Sequence, residues 1–281
     1  VVDDKDGAAG KAADMDNVIK ALSVTYPLRE PVILSAIQAF QPPPGSRGLD
    51  AGCGIGHQAM LLAEVVGPAG HVTGLDLSTE ILVYARKLVE QSGLSERIAF
   101  KEGNVNELPF DDDAFDWAWS MDCVGYLPLE PLPFLLELAR VVRPGGRVAI
   151  LAWSSEKLLP GYPLLESHLS ATTMGIAPFT KGMKPESHFL RALGWFREAG
   201  LEELTAQTFA GDAYAPFTDD LRRALEFLFD MRWPGVEKEL AQEDWTEYRR
   251  LCLPESPDYI LNQPDYYAFF TYSMFSGMVQ K

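Results

Sequence analysis

The stretch Gly48-Leu49-Asp50-Ala51-Gly52-Cys53-Gly54-Ile55-Gly56 decides the reading of this chain. The residues leading into it, Arg47 to Ala51, have the look of a short buried strand, and His57 to Val66 carry a helical apolar pattern. A glycine-rich turn between a strand and a helix lets backbone approach a ligand closely. The helix start adds free N–H groups. About 20 residues further on, Asp76 closes a second expected strand, where an acidic side chain can accept hydrogen bonds from both ribose hydroxyls of a nucleoside. The plain structural alternative is a tight turn beside a surface aspartate.

Working outward, strands and helices alternate. Gly70 to Leu75, Arg97 to Glu102, Phe115 to Ser120 and Arg147 to Trp153 read as strands. Thr79 to Ser92, with Ser78 as its cap, and Pro131 to Val142 read as helices. Alternation of this kind implies right-handed βαβ crossovers and a mainly parallel sheet. Upstream, helices are expected at Asp16 to Leu22 and Pro31 to Phe40, after a loose, flexible segment at residues 1–14. Downstream, the alternation lapses. Residues 155–184 read as a lid or insertion, Glu186 to Ala199 as a helix and Glu203 to Phe209 as a strand. Asp219 to Met231 and Val236 to Leu251 read as two substrate-side helices within 212–262, and residues 266–279 as an aromatic final strand.

Composition narrows the function classes. Of 281 residues, 47% are hydrophobic and 23% charged, a globular balance, and the net charge is −16. So acidic a chain without a dense Lys/Arg run makes nucleic acid an improbable partner. Cys53, Cys123 and Cys252 are far apart and not in metal-ligand spacing, so neither a disulfide framework nor a metal site is expected. No apolar run has the length of a membrane span, and no secretory signal shape is seen. The expectation is a cytoplasmic enzyme.

The glycine spacing discriminates between cofactors. A dinucleotide fold calls for G-x-G-x-x-G. Here it is G-x-G-x-G followed by His57, with Asp50 two residues before the first glycine of the pattern. Together with GLDLS at 74–78, GNVNELPFDDDAFD at 103–116 and RVVRPGGRVAI at 140–150, the stretch resembles the class I S-adenosylmethionine-dependent methyltransferases. The likeness covers most of residues 47–153. It leans to the small-molecule branch, of the ubiquinone/menaquinone-biosynthesis type (methyltransferase type 11-like).

The resemblance implies a Rossmann-like, doubly wound, seven-stranded α/β sheet in a single domain over 15–281, its cofactor core at 45–153. It implies S-adenosyl-L-methionine as cofactor. Asp50, Ala51, Gly52 and Gly54 would line the methionine end, with Ser120 and Met121 facing it. Asp76 would hold the ribose and Leu77 pack on the adenine. Asn104, where the family usually has Asp, would meet the adenine amine, and Val105 would offer its N–H. Gln58 in the first helical turn, and Tyr26 and Arg29 upstream, are further candidates for the cofactor.

On the acceptor side the candidates are Tyr126 and Asp122, with Cys123 as a buried filler. Trp153 and Tyr162 would line a pocket under residues 155–184. The activity implied is methyl transfer to a small, partly apolar acceptor by in-line displacement. The residues leave two other classes open: a binding protein for the nucleoside without turnover, and an NAD-dependent oxidoreductase, against which the missing third glycine argues.

Overall fold

In the computed structural model, which describes residues 5–124 and 130–280 (side chains from Met15 on), the chain opens with helices α1 (Lys5–Val24) and α2 (Tyr26–Phe40). The alternating part follows: β1 (Arg47–Ala51), α3 (His57–Val66), β2 (His71–Asp76), α4 (Thr79–Gln91), β3 (Ile98–Glu102), β4 (Phe115–Met121), α5 (Pro131–Val141) and β5 (Val142–Lys157). Then come α6 (Pro163–Ser170), α7 (Ala192–Glu198), β6 (Leu201–Tyr214), α8 (Asp219–Arg232), α9 (Gln242–Cys252) and β7 (Tyr267–Val279).

The strands form one seven-stranded sheet in the order β3-β2-β1-β4-β5-β7-β6. The pairings from β3 to β5 are parallel, and β7 runs antiparallel to both β5 and β6. The order turns back between β1 and β4. In open α/β sheets such a reversal leaves a crevice at the carboxyl ends of the strands, and ligands bind there. β4 is buried along nearly its whole length, with Trp117 and Trp119 almost without exposure. A strand covered on both faces reads as a continuous apolar run, as this one does.

The expected Rossmann-like, mainly parallel α/β sheet is what the chain forms, and several element ends differ for physical reasons. α2 begins at Tyr26 rather than Pro31, because Pro27 sits in the first turn where a missing N–H costs nothing. α1 begins at Lys5 rather than Asp16. β5 extends from Val142 to Lys157, and β6 from Leu201 to Tyr214, because β7 supplies partners out to Phe269 and Tyr267 respectively.

The helix expected over Glu186 to Ala199 is instead two 3-10 turns, Pro185–Ser187 and Phe189–Arg191, before α7. The His188 ring accepts the Leu190 N–H, so a side chain competes with the helical ladder there. Val236 to Leu251 likewise divides into a 3-10 turn, Val236–Lys238, and α9.

One close approach governs the middle of the sheet. A Cβ on Gly48 would lie 2.0 Å from the Trp117 indole on the neighbouring β4. Trp117 in turn donates its indole N–H to Ser46 Oγ at 2.7 Å. Gly48→Ala is therefore expected to destabilise the protein by about 1–3 kcal/mol through overpacking, read as a lowered urea midpoint. An unchanged midpoint would mean that the indole moves aside freely.

Candidate functional site

The site starts from the turn after β1. Gly52, Gly54 and Gly56 have φ of 79°, 51° and 87°, in the left-handed region that favours glycine. The turn is fastened from below, since the Gly52 and Cys53 N–H groups both donate to the Leu75 carbonyl at 2.8 and 2.9 Å. It is fastened from the side by Asp76. One carboxylate oxygen of Asp76 accepts the Gly54 N–H and the other the Ser78 N–H, each at 3.0 Å. Asp76 thus joins two βα turns. Ser78 also caps α4 by accepting the Ile81 N–H, as its position predicts. The space beside Gly52 is filled by Cys123, whose sulfur would stand 2.7 Å from an added Cβ.

Asp50 is buried on β1, and its Oδ2 has no hydrogen-bond partner among the described residues. Burial, and next the negative charge of Asp76, push its carboxyl up to about 8. An unpartnered acidic oxygen beneath a glycine turn favours a cationic or hydrogen-donating guest.

Other candidates are brought to the same place. Gln58 reaches the Met121 sulfur at 3.4 Å, joining the start of α3 to the end of β4. The Ser120 hydroxyl is buried and donates to the Ala51 carbonyl at 2.8 Å. It holds the end of β1 rather than facing a cleft. Leu77 is 71% exposed, a bare apolar side chain beside Asp76. Asn104 lies in the neighbouring loop, where its side-chain oxygen accepts the Asn106 N–H at 3.0 Å, and Val105 packs onto the core.

The amino-terminal helices lie across this region. Met15 of α1 touches Ser78 through its sulfur at 3.6 Å, and Leu22 lies 3.3 Å from where a Gly54 Cβ would be. Tyr26 stacks on His57, ring centroids 3.7 Å apart. Burial, and next the Arg29 charge, lower the His57 imidazole to about 4, so it is neutral near pH 7.

Arg29 points further along. Its guanidinium lies 3.8 Å from Asp122 Oδ2 and donates to the Leu22 carbonyl. Both Arg29 and Asp122 line a cavity of about 450 Å³, within the range of roughly 300–1,000 Å³ usual for small-molecule sites. Its walls come from α2, the end of β5 from Trp153 onward, residues 175–190, the end of α8 and Tyr272 of β7.

Arg232 of α8 fixes one wall. It pairs with Glu156 and donates to the Met174 and Gly175 carbonyls at 2.9 and 2.8 Å. Trp153 donates its indole N–H to the same Glu156 at 2.5 Å and stacks on Phe270.

Trp153 therefore lines the cavity, as expected from the sequence. Tyr162 does not; its hydroxyl accepts from Arg250 of α9 at 3.1 Å, which draws the ring away. Asp122 forms part of the cavity wall, its side chain partly exposed. Tyr126 lies outside the described residues. Sequence reasoning missed Arg232, Glu156 and Tyr272, because long-range pairing leaves no local pattern.

Known proteins place this geometry. Residues 49–146 match the family model described as a methyltransferase domain. The chain is 37% identical over 186 residues to a demethylmenaquinone methyltransferase of Lysinibacillus sphaericus, covering 61% of this chain and 76% of that protein. A crystal structure of an S-adenosylmethionine-dependent methyltransferase from Aquifex aeolicus superposes with a TM-score of 0.50 at 25% identity, over 65% of this chain and 87% of that one. Haemonchus contortus phosphoethanolamine N-methyltransferase 2, solved with S-adenosyl-L-methionine, shares the fold at a TM-score of 0.52 and 18% identity, over 89% of this chain and 52% of that one.

The Asp50 carboxyl sets a pH dependence. Unfolded, it ionises near its ordinary 3.8; folded, it keeps its proton to about 8. Between these values the unfolded chain binds fewer protons, so stability falls as pH rises, by at most about 1.4 kcal/mol per pH unit. Asp50→Asn removes that slope. Urea unfolding of both proteins at pH 5 and pH 8 is expected to show the wild type losing stability relative to the variant; a gap that does not change with pH contradicts it.

Proposed function

The chain belongs to the class I S-adenosylmethionine-dependent methyltransferases, and from that premise we propose that it methylates a small, partly apolar acceptor held in the cavity beside Asp122 and Trp153. The observation that carries this reading is the position of the cavity. Its floor contains Asp122, the residue directly after Met121, and Met121 is touched by Gln58 from the helix that follows the glycine turn. A cofactor cleft and an acceptor cavity thus meet at the carboxyl end of β4.

The residues present fit the cofactor. The Asp50 oxygen without a partner, the Asp76 carboxylate and the bare Leu77 side chain are what a charged amino acid end, a ribose and a flat base call for. We assign Asp50, Ala51, Gly52, Gly54 and Gln58 to the methionine end, with Met121 nearby. Ser120 supports Ala51 from beneath. Asp76 takes the ribose; each of its oxygens keeps a lone pair after its bond to backbone. Leu77, Asn104 and Val105 take the adenine. Tyr26, through His57, shapes the wall beside the methionine end.

When bound, S-adenosylmethionine supplies a methyl group on a sulfonium, ready for displacement. The protein's own part is alignment and exclusion of water. The carboxyl ends of β4 and β5 fix the direction from which the acceptor approaches. Residues 175–190 and α8 close the cavity over it, clamped by Arg232.

The apolar lining, including Trp153, Phe179, Phe189 and Leu228, supports an acceptor with a sizeable hydrophobic part. The name of the Lysinibacillus relative is in keeping with an acceptor that carries a large hydrophobic part. Residues 155–184 act in this reading as the cover of the acceptor, and residues 15–281 as one domain.

Asp76→Ala is expected to weaken S-adenosylhomocysteine binding by tenfold or more while the fold persists, since hydrogen bonds to charged groups contribute roughly 1.5–3 kcal/mol each. Isothermal titration giving an unchanged Kd would remove Asp76 from the site. Arg232→Met breaks a largely buried ion pair and is expected to cost on the order of 3 kcal/mol of stability. It should leave S-adenosylhomocysteine affinity intact. A parallel loss of affinity would show that the clamp is not confined to the acceptor side.

A further inference from the structure

We infer that Asp122 is the general base of the transfer and that the group it deprotonates is a hydroxyl, so that the acceptor is a neutral, largely apolar molecule methylated on oxygen. This rests on the reading of the cavity as the acceptor site.

Asp122 stands where the cavity adjoins the end of β4, and it is held there from three elements. The Trp153 N–H of β5 donates to Oδ1 at 3.0 Å, and the Tyr272 hydroxyl of β7 donates to Oδ2 at 3.3 Å. Arg29 of α2 lies 3.8 Å from Oδ2. The Asp122 backbone N–H donates to the Leu151 carbonyl at 2.9 Å, and its φ is 49°, a left-handed conformation that aspartate tolerates.

Each carboxylate oxygen carries a second lone pair, so a further donor can be accepted from the cavity. Burial raises the Asp122 carboxyl above its ordinary range, against the lowering effects of Arg29, the Trp153 N–H and Tyr272. A stronger base results.

The charges around the cavity select the donor. Asp122 already faces a guanidinium, so an ammonium there would meet Arg29 as well. The other charges are matched: Arg232 with Glu156, and Lys157 with Glu166. The remaining described lining combines apolar side chains with the neutral hydroxyls of Thr25, Ser154, Ser155, Ser170 and Ser187, and with His188. A hydroxyl is neutral, donates to Asp122 without repulsion from Arg29, and needs a base to become a good nucleophile.

In the step, the acceptor O–H proton passes to Asp122. The oxygen electron pair forms the new O–CH3 bond as the S–CH3 bond breaks, and that bonding pair stays on sulfur. A neutral thioether and a protonated Asp122 remain, and solvent takes the proton afterwards. Tyr272 is a positioning residue, acting through Asp122.

The experiment uses the full chain with three probes of one ring size: 1-naphthol, 1-naphthalenemethanol and 1-naphthylmethylamine. Binding of each to the S-adenosylhomocysteine-loaded protein is measured by titration, and turnover with S-adenosylmethionine by product mass. The hydroxyl probes are expected to bind at least tenfold tighter than the amine, with the methyl on oxygen. Asp122→Asn should lower turnover of 1-naphthol by about 10²–10⁴-fold with unchanged S-adenosylhomocysteine affinity.

The wild-type rate should rise with pH through the Asp122 ionisation, and the variant should lose that limb. Among the described residues, the titratable and charged groups facing Asp122 are Arg29, Tyr272 and Cys123. Tyr272→Phe should therefore displace the limb to higher pH, because a hydrogen bond to the carboxylate is gone, while turnover persists.

Preferred binding or methylation of the amine, methyl transfer to ring carbon, or an Asn variant as fast as the wild type overturns the assignment. Failure of every probe to bind the loaded protein overturns the cavity reading beneath it. Loss of S-adenosylhomocysteine binding in the wild type would overturn the cofactor assignment instead.

Discussion

The Asp76 carboxylate is the constraint on which the site depends. One oxygen holds the glycine turn through Gly54, and the other holds the start of α4 through Ser78. Two loops from neighbouring parallel strands are thereby fixed relative to each other by a single side chain. Backbone N–H groups at such turns would otherwise need water. In the proposed reading the same carboxylate also takes the ribose, so that scaffold and ligand contact would fall on one residue. Its negative charge adds to burial in raising the carboxyl of Asp50 beneath, whose Oδ2 has no hydrogen-bond partner among the described residues.

From that point the molecule divides its work between the two ends of the sheet order. In the proposed reading the parallel strands from β3 to β4 present the nucleoside side. The antiparallel β7, with the extended β5, presents Trp153 and Tyr272 to the cavity proposed for the acceptor. β4 lies between them, and its last residues serve both. Met121 receives Gln58, and Asp122 receives Tyr272. The helices that follow α7 do not add to the sheet's parallel core. They supply Arg232, which ties the cavity cover to β5 through Glu156 and two backbone carbonyls.

The legible part of this design is the part with short range in sequence. The glycine turn, Asp76, the Ser78 cap and the strands β1 to β4 follow from periodicity and turn chemistry within a few dozen residues. The lengths of β5 and β6 do not, because they are set by pairing with β7, which begins more than fifty residues later in the chain. Tyr162 misled for a similar reason: its partner, Arg250, lies on a distant helix. Ser120 occupies the strand end expected of it, yet its hydroxyl serves the backbone of β1, a choice that depends on which carbonyl happens to lie across the strand gap. His188 broke a helix through its own ring, which residue propensity alone does not register.

The placement of α1 carries a kinetic consequence. Met15 and Leu22 rest on the two turns joined by Asp76. A nucleoside bound at those turns would lie against them, whereas the neighbouring cavity is bounded by other elements. If only a fraction of molecules has the helix lifted at any moment, the measured dissociation constant is the intrinsic one divided by that fraction. Truncating the helix would then accelerate both capture and escape of the nucleoside.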